Sequence, residues 1–260
     1  MRINPLKQRR EPIINGWLAI PSSYSAEIAG HQGFDAVTVD LQHGLIDFAA
    51  ALSMLQALSS TPATPLVRVS HNEPAQIMRM LDAGAYGIIC PMINDAAEAQ
   101  QFVDACRYAP QGSRSFGPAR ALLYGGKDYP QHANQQILTL AMIETRAGLA
   151  NLDAILDVEG LDGVFIGPND LSLTLTGQAS AESQHPEMLN AIERVLSRTR
   201  ARHKLAGIFC TSGEAAAQRI VQGFQLVTPA NDVMQLTHAA RHAVATARGE
   251  ALPVRSGSGY

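Results

Sequence analysis

The stretch Gly163-Val164-Phe165-Ile166-Gly167-Pro168-Asn169-Asp170 sets the pattern of the whole chain: a short apolar run stops at a Gly-Pro turn, and a helix start follows. A strand with one wet face would alternate polar and apolar residues. This run does not, so it reads as a strand buried on both faces, as in a parallel sheet covered by helices. The same unit recurs in both directions. Strands are expected at residues 13–20, 36–40, 66–69, 87–91, 138–144, 163–167, 206–210 and 225–228. Amphipathic helices are expected at 22–30, 49–59, 73–81, 95–108, 149–156, 186–202, 212–221 and 232–248, several ending near glycine. Eight strand–helix units in 260 residues match the size and rhythm of a (β/α)8 barrel. The doubly wound alternative lacks its phosphate fingerprint, since there is no G-x-G-x-x-G and no G-x-x-x-x-G-K-[ST]. The expectation is one α/β domain, a (β/α)8 TIM barrel over residues 1–260, with a leader (1–12) and a tail (250–260) at its periphery.

Composition narrows the function classes. Hydrophobic residues make up 46% of the chain and charged ones 17%, which suits a large core and excludes intrinsic disorder. No apolar run approaches the ~20 residues of a membrane span. A net charge of −3 argues against an electrostatic nucleic-acid binder. Cys90, Cys106 and Cys210 are odd in number and form no C-x-x-C, so neither a disulfide framework nor a thiolate zinc site is expected, and a reducing cytoplasm fits. The basic start runs into residues 13–20, where Asn15 and Gly16 interrupt the apolar run; no signal peptide is expected. Residues 109–134, rich in Gly, Pro, Arg and Tyr, and the smaller polar insertion 174–184 break the rhythm. Loops as long as the first are functional or disordered as a rule.

In such a barrel the chemistry collects at the carboxyl ends of the strands. There the chain offers Asp40-Leu41-Gln42-His43-Gly44, Arg68, Glu144 and Gly167-Pro168-Asn169-Asp170. Glu144 and Asp170 would repel in an apolar mouth unless a proton or cation sits between them. Hard oxygen donors without Cys or His favour Mg2+ or Mn2+; the plainer alternative is that each carboxylate caps a helix or pairs with an Arg. The Gly167–Asp170 turn either presents free N–H groups to an anion or is an ordinary turn. Arg68 either supplies charge to a developing oxyanion or is a buried ion-pair partner of Asp40 or Glu144. His43, with Asp40 near, is a candidate general base. The three lysines, Lys7, Lys127 and Lys204, all avoid the strand carboxyl ends, so Schiff-base chemistry is not expected and a metal would have to serve as electron sink. Gly125-Gly126-Lys127 lacks the flanking strand and helix of a phosphate cradle.

Taken together, Asp40-Leu41-Gln42-His43-Gly44, Val67-Arg68, Leu81-Asp82-Ala83-Gly84, Arg107-Tyr108-Ala109-Pro110, Ile143-Glu144-Thr145-Arg146 and Val164 to Ser172 resemble the HpcH/HpaI aldolase/citrate lyase family, in order and at compatible spacing over about residues 13 to 245. Within it they look most like the class II, metal-dependent pyruvate aldolases. The resemblance implies a barrel of the phosphoenolpyruvate/pyruvate type with an exchanged C-terminal helix, assembled as a homohexamer, a trimer of dimers. It implies that Glu144 and Asp170 ligate a divalent cation (Mg2+, Mn2+ or Co2+) chelated by the carboxylate and keto oxygens of pyruvate. The N–H groups of Asn169 and Asp170, on the Gly167-Pro168 turn, would hold that carboxylate. Arg68 would stabilise the enolate oxygen, His43 would act on the aldol hydroxyl, and Asp82 would raise the basicity of His43. Met142 stands where the family often has a Gln that touches pyruvate, and the run from Arg114 to Arg120 replaces a common Gly-Val-Gly.

The activity expected first is reversible cleavage of 4-hydroxy-2-oxo acids to pyruvate or hydroxypyruvate plus an aldehyde, with small oxo acids and aldehydes as partners. The alternatives are an acyl-CoA lyase of malyl- or citramalyl-CoA type, for which no basic entrance is evident, and a non-catalytic barrel that binds oxo acids. Arg114, Arg120 and Tyr124 of the long loop, with residues lent by a neighbouring subunit, are the expected readers of an anionic aldehyde; the plainer alternative is that the arginines only pin the loop to the barrel.

Overall fold

The structure, a computed structural model, describes residues 3–251. Eight strands pair in parallel in chain order and close on themselves: β1 (Ile13–Leu18), β2 (Ala36–Asp40), β3 (Thr64–Arg68), β4 (Gly87–Cys90), β5 (Leu138–Ile143), β6 (Gly163–Ile166), β7 (Leu205–Cys210) and β8 (Leu226–Pro229). Each strand expected from the pattern is present. The helices are α1 (Ser23–Gly30), α2 (Phe48–Leu58), α3 (Pro74–Asp82), α4 (Ala96–Cys106), α5 (Ala119–Gly125), α6 (Tyr129–Gln136), α7 (Arg146–Ala150), α8 (Leu152–Leu156), α9 (Pro168–Thr176), α10 (Pro186–Ala201), α11 (Gly213–Gln222) and α12 (Asp232–Arg248). Most strand-to-helix turns end in a side chain that caps the helix: Ser22, Asp47, Glu73, Asp95, Thr145, Ser212 and Asn231 each accept a first-turn N–H.

Two apolar sets divide the interior by parity. Ile13, Trp17, Ala36, Leu66, Ile89, Leu138, Leu140, Met142, Phe165, Phe209 and Leu226 fill the barrel. The intervening positions, such as Val37, Val39, Val67, Ile88, Ala141, Ile143, Val164 and Ile208, pack beneath the helices. A polar patch within is satisfied: Thr38 Oγ1 donates to Asn15 Oδ1 at 3.0 Å and Asn15 Nδ2 to Thr228 Oγ1 at 2.9 Å. Counting inward positions by twos toward the carboxyl ends reaches Asp40, Arg68, Glu144 and Gly167. The barrel's own period therefore aims these residues at one centre.

The leader is not peripheral. Leu6 is buried with the barrel-filling set, and Asn4 Nδ2 donates to the carbonyls of Tyr86 and Gln136 at 3.0 and 2.8 Å. The amino ends of the strands present an apolar layer that would otherwise meet water, and residues 3–12 close it. The expected tail beyond residue 251 lies outside the described residues. The 109–134 segment is not an open loop; it holds α5 and most of α6. α12 leaves most of its length uncovered, with Ala245 its one buried residue and Val233, Leu236 and Val244 exposed. Among the described residues no helix is long and apolar enough to cross a membrane.

Candidate active site

The carboxyl end of the barrel encloses a small pocket lined by Trp17, Arg68, Met142, Glu144, Phe165, Gly167, Pro168, Asn169, Asp170 and Phe209. Arg68 is buried, and its charge is matched by Asp40: Nε donates to Oδ1 at 2.8 Å and Nη2 to Oδ2 at 2.6 Å. Two parallel bonds fix the plane of the guanidinium as well as its position. Trp17 adds its indole N–H to Asp40 Oδ2 at 3.2 Å, and its ring lies 4.9 Å from the guanidinium carbon. Phe165 stacks on Trp17 at 5.5 Å and Phe209 meets it edge-on at 5.7 Å, so an aromatic wall keeps water from the pair. Burial alone would raise the Asp40 carboxyl. The Arg68 guanidinium, helped by the Gln42 N–H and the indole, outweighs it and holds the group below the usual range. Asp40 Oδ1 also accepts the main-chain N–H groups of Gln42 and His43 at 3.0 and 3.3 Å. The same carboxylate thus sets Arg68 and the start of the turn that carries the exposed His43.

Glu144 is a second buried acid of the site. Its Oε1 accepts the Met92 N–H at 2.8 Å, while Oε2 is buried without a hydrogen-bond partner. Burial pushes its carboxyl up to about 7; the Asp170 charge adds to the rise, and Met92 and Arg68 offset only part of it. Gly167 faces Oε2. Its φ of −91° suits any residue, so the glycine is required for space: a Cβ would collide with Oε2 and lie 2.9 Å from Met142 Cε. Pro168 opens α9 at its first position, and the first helical bond runs from Leu171 N–H to Gly167 O at 3.0 Å. The Asn169 and Asp170 N–H groups therefore have no helical carbonyl to meet, and both residues line the pocket.

This donor set fits a hard divalent cation. A buried carboxylate oxygen lacking a partner, a second carboxylate, Asp170, lining the same pocket and the space kept by Gly167 leave room for an ion bound by oxygen. Among the described residues no third His, Cys, Asp or Glu joins them. Substrate and water would supply the remaining ligands, as suits Mg2+ or Mn2+.

Of the residues singled out from sequence, Asp40, Arg68, Met142, Glu144, Gly167, Pro168, Asn169 and Asp170 meet at this mouth. Asp82 and Arg120 do not. Asp82 ends α3 at the amino-terminal end of the barrel, opposite Glu144, where Arg114 Nη2 donates to it at 2.7 Å. Within one chain it cannot tune His43. Arg120 donates to Ala83 O, Leu55 O and Ser59 Oγ at 2.7, 3.3 and 2.9 Å, beside the carboxyl ends of α2 and α3. Tyr124 meets Tyr86 edge-on at 5.2 Å. The cause is topological: residues 109–134 run from a helix into a strand, and such connections lie at the amino end of a (β/α) barrel. Within one chain these side chains pin α5 and its neighbours to the barrel and do not line its mouth.

Sequence reasoning missed Trp17, Phe165 and Phe209. The parity of β1, β6 and β7 carries that signal, since each lies an even number of residues from another inward side chain. It gave Met92, present in the resemblance through Pro91-Met92, no role, because its contribution is a main-chain N–H that no side-chain motif announces.

Fold and mouth together define a (β/α)8 barrel that gathers a fixed guanidinium and two carboxylates at its carboxyl end. The chain belongs to the HpcH/HpaI aldolase/citrate lyase family, whose model matches residues 14–239. It is 46% identical to the hydroxypyruvate/pyruvate aldolase of Rhizorhabdus wittichii over 91% of this chain and 94% of that one. It is 40% identical to the 4-hydroxy-2-oxo-heptane-1,7-dioate aldolase of Escherichia coli over 95% of this chain and 94% of that one. Among solved structures, an HpcH/HpaI aldolase/citrate lyase family protein from Burkholderia cenocepacia J2315 superposes with a TM-score of 0.89 at 33% identity, covering 94% of this chain and 99% of that one.

Proposed function

We propose that the chain is a divalent-metal-dependent aldolase that reversibly cleaves 4-hydroxy-2-oxo acids to pyruvate or hydroxypyruvate and an aldehyde. The observation that carries the metal is Glu144 Oε2, buried and unpartnered beside Gly167 and Asp170. Glu144 and Asp170 would hold the cation, which supplies Lewis acidity toward the keto and carboxylate oxygens of the bound acid. The substrate carboxylate rests against the Asn169 and Asp170 N–H groups. Arg68, immobilised by Asp40, faces the C2 oxygen and stabilises the negative charge that grows there. His43 takes the proton of the C4 hydroxyl as the C3–C4 bond breaks; the bonding pair moves into the C2–C3 enolate and the aldehyde departs. A proton then returns to C3 and completes pyruvate. Trp17, Phe165 and Phe209 exclude water from the enolate face.

The experiment follows the pyruvate methyl protons by NMR in D2O. Exchange with Mg2+ or Mn2+ and none with chelator is the expected result; equal exchange in chelator overturns the metal reading. The uncovered length of α12 supports assembly of copies through this helix; the family resemblance implies a hexamer of three dimers, which light scattering on the purified chain tests. Cys90, Cys106 and Cys210 are free and buried, in keeping with a reducing cytoplasm.

A further inference from the structure

The β4–α4 turn, Pro91 to Asp95, enters the site described above only through the Met92 N–H, yet it is tied to Glu144 at both ends of a closed circuit. Met92 N–H donates to Glu144 Oε1 at 2.8 Å. Met92 O accepts Asn94 Nδ2 at 2.8 Å. Asn94 Oδ1 accepts the hydroxyl of Thr145 at 2.5 Å, and Thr145 is covalently next to Glu144. The direction of that last bond is fixed, because an amide Oδ1 can only accept; Thr145 Oγ1 in turn accepts the Gly148 N–H at 2.9 Å as the cap of α7. The circuit is anchored outside as well: Asn151 Nδ2 donates to Asn94 O at 2.8 Å, and Asn94 N–H donates to Glu98 Oε2 at 2.7 Å. α7 presses on the turn so closely that a Cβ on Gly148 would sit 2.6 Å from Ile93 O.

Met92 lies at φ +57°, in the left-handed region that an L side chain seldom occupies, and it is exposed, so burial of its side chain does not account for that conformation. The conformation aims its N–H at one oxygen of Glu144 and leaves the other bare toward Gly167. We propose that Asn94 and Thr145 are positioning residues: through Met92 they hold Glu144 in the one rotation that presents Oε2 to a divalent cation. The inference rests on the metal reading above and adds to it the device that orients the ligand. Outer groups of this kind set metal affinity by fixing the geometry of the inner ones.

The test measures the dissociation constant of Mn2+ alone, by the electron paramagnetic resonance of free Mn2+, on the full chain, with thermal unfolding in EDTA alongside. Asn94→Ala is expected to weaken Mn2+ binding by about 10- to 100-fold. Thr145→Val, which keeps shape and removes the hydroxyl, is expected to follow it. Thr145→Ser restores the hydroxyl and should bind Mn2+ within about twofold of the unaltered chain. A merely structural role would lower the unfolding temperature of Asn94→Ala and Thr145→Val while the folded protein binds Mn2+ as before, and that result overturns the proposal. Should Asn94→Ala not fold, the contrast between Thr145→Val and Thr145→Ser decides alone. If the unaltered chain binds no Mn2+, the metal reading fails and takes this proposal with it; normal binding in the unaltered chain and in Thr145→Val overturns the positioning role only.

Discussion

Asp40 and Arg68 are register partners across β2 and β3, and each oxygen of the carboxylate meets a different nitrogen of the guanidinium, at 2.8 and 2.6 Å. Both side chains are at most 5% exposed. Breaking one side of such a pair leaves a buried charge alone, at a cost of about 3–5 kcal/mol. Asp40→Asn should therefore lower the free energy of urea unfolding at pH 7 by about that much. The pH dependence has a definite sign. The Asp40 pKa is held below its unfolded value, so its contribution is fully present above the unfolded pKa, about 4, and is lost as pH falls through the folded one. The unaltered chain should lose stability below about pH 4 more steeply than Asp40→Asn. Arg68→Ala should slow cleavage by about 10²–10³-fold.

Gly167→Ala tests the space beside Glu144. The added methyl would collide with Oε2 and crowd Met142 Cε, so the carboxylate must turn away. Mn2+ titration should show a loss of about tenfold or more, while the circular dichroism of the barrel stays unchanged. Undiminished affinity would mean that Oε2 is not the metal-facing oxygen.

The lysines predict a negative result. Lys7 donates to Asp162 at 2.6 Å and Lys204 to Leu161 O at 2.7 Å, both in connections at the amino end of the barrel, and Lys127 lies between α5 and α6 at that same end. None reaches the mouth to form a Schiff base. Borohydride with pyruvate should leave the protein mass unchanged; a covalent adduct on any lysine contradicts the metal-dependent reading.

Arg120→Ala separates anchoring from acceptor recognition. The variant loses hydrogen bonds to Ala83 O, Leu55 O and Ser59 Oγ. A stability loss of about 1–3 kcal/mol is expected. The ratio of kcat/KM for succinic semialdehyde to that for a neutral short aldehyde should stay constant. A selective fall for the anionic aldehyde would show that Arg120 reaches an active site after all, that of a neighbouring copy.

The strands were legible because a barrel strand buried on both faces leaves a short run of apolar residues, and the same count by twos leads to Asp40, Arg68 and Glu144. Asp82 and Arg120 lie away from their own barrel's mouth for the converse reason. Asp82 was carried by the family resemblance and Arg120 by its residue type, but their place along the chain, before a strand and not after one, puts them at the far end. The connection that residues 109–134 make, from a helix into a strand, is the sequence sign of this for Arg120. Met92 was beyond such reasoning, since its contribution is a backbone angle and an N–H group, and nothing in a methionine's side chain foretells either.

The chain contains one tryptophan, and it is the residue whose indole leans on Asp40 and Arg68. Its emission therefore comes from a single place, the wall of the pocket, with no second indole to dilute it. An oxo acid settling against Arg68, or a cation taken up by Glu144, alters the field and the quenching around that one ring. The unlabelled protein thus carries its own optical gauge of occupancy, able to follow binding in real time and apart from turnover.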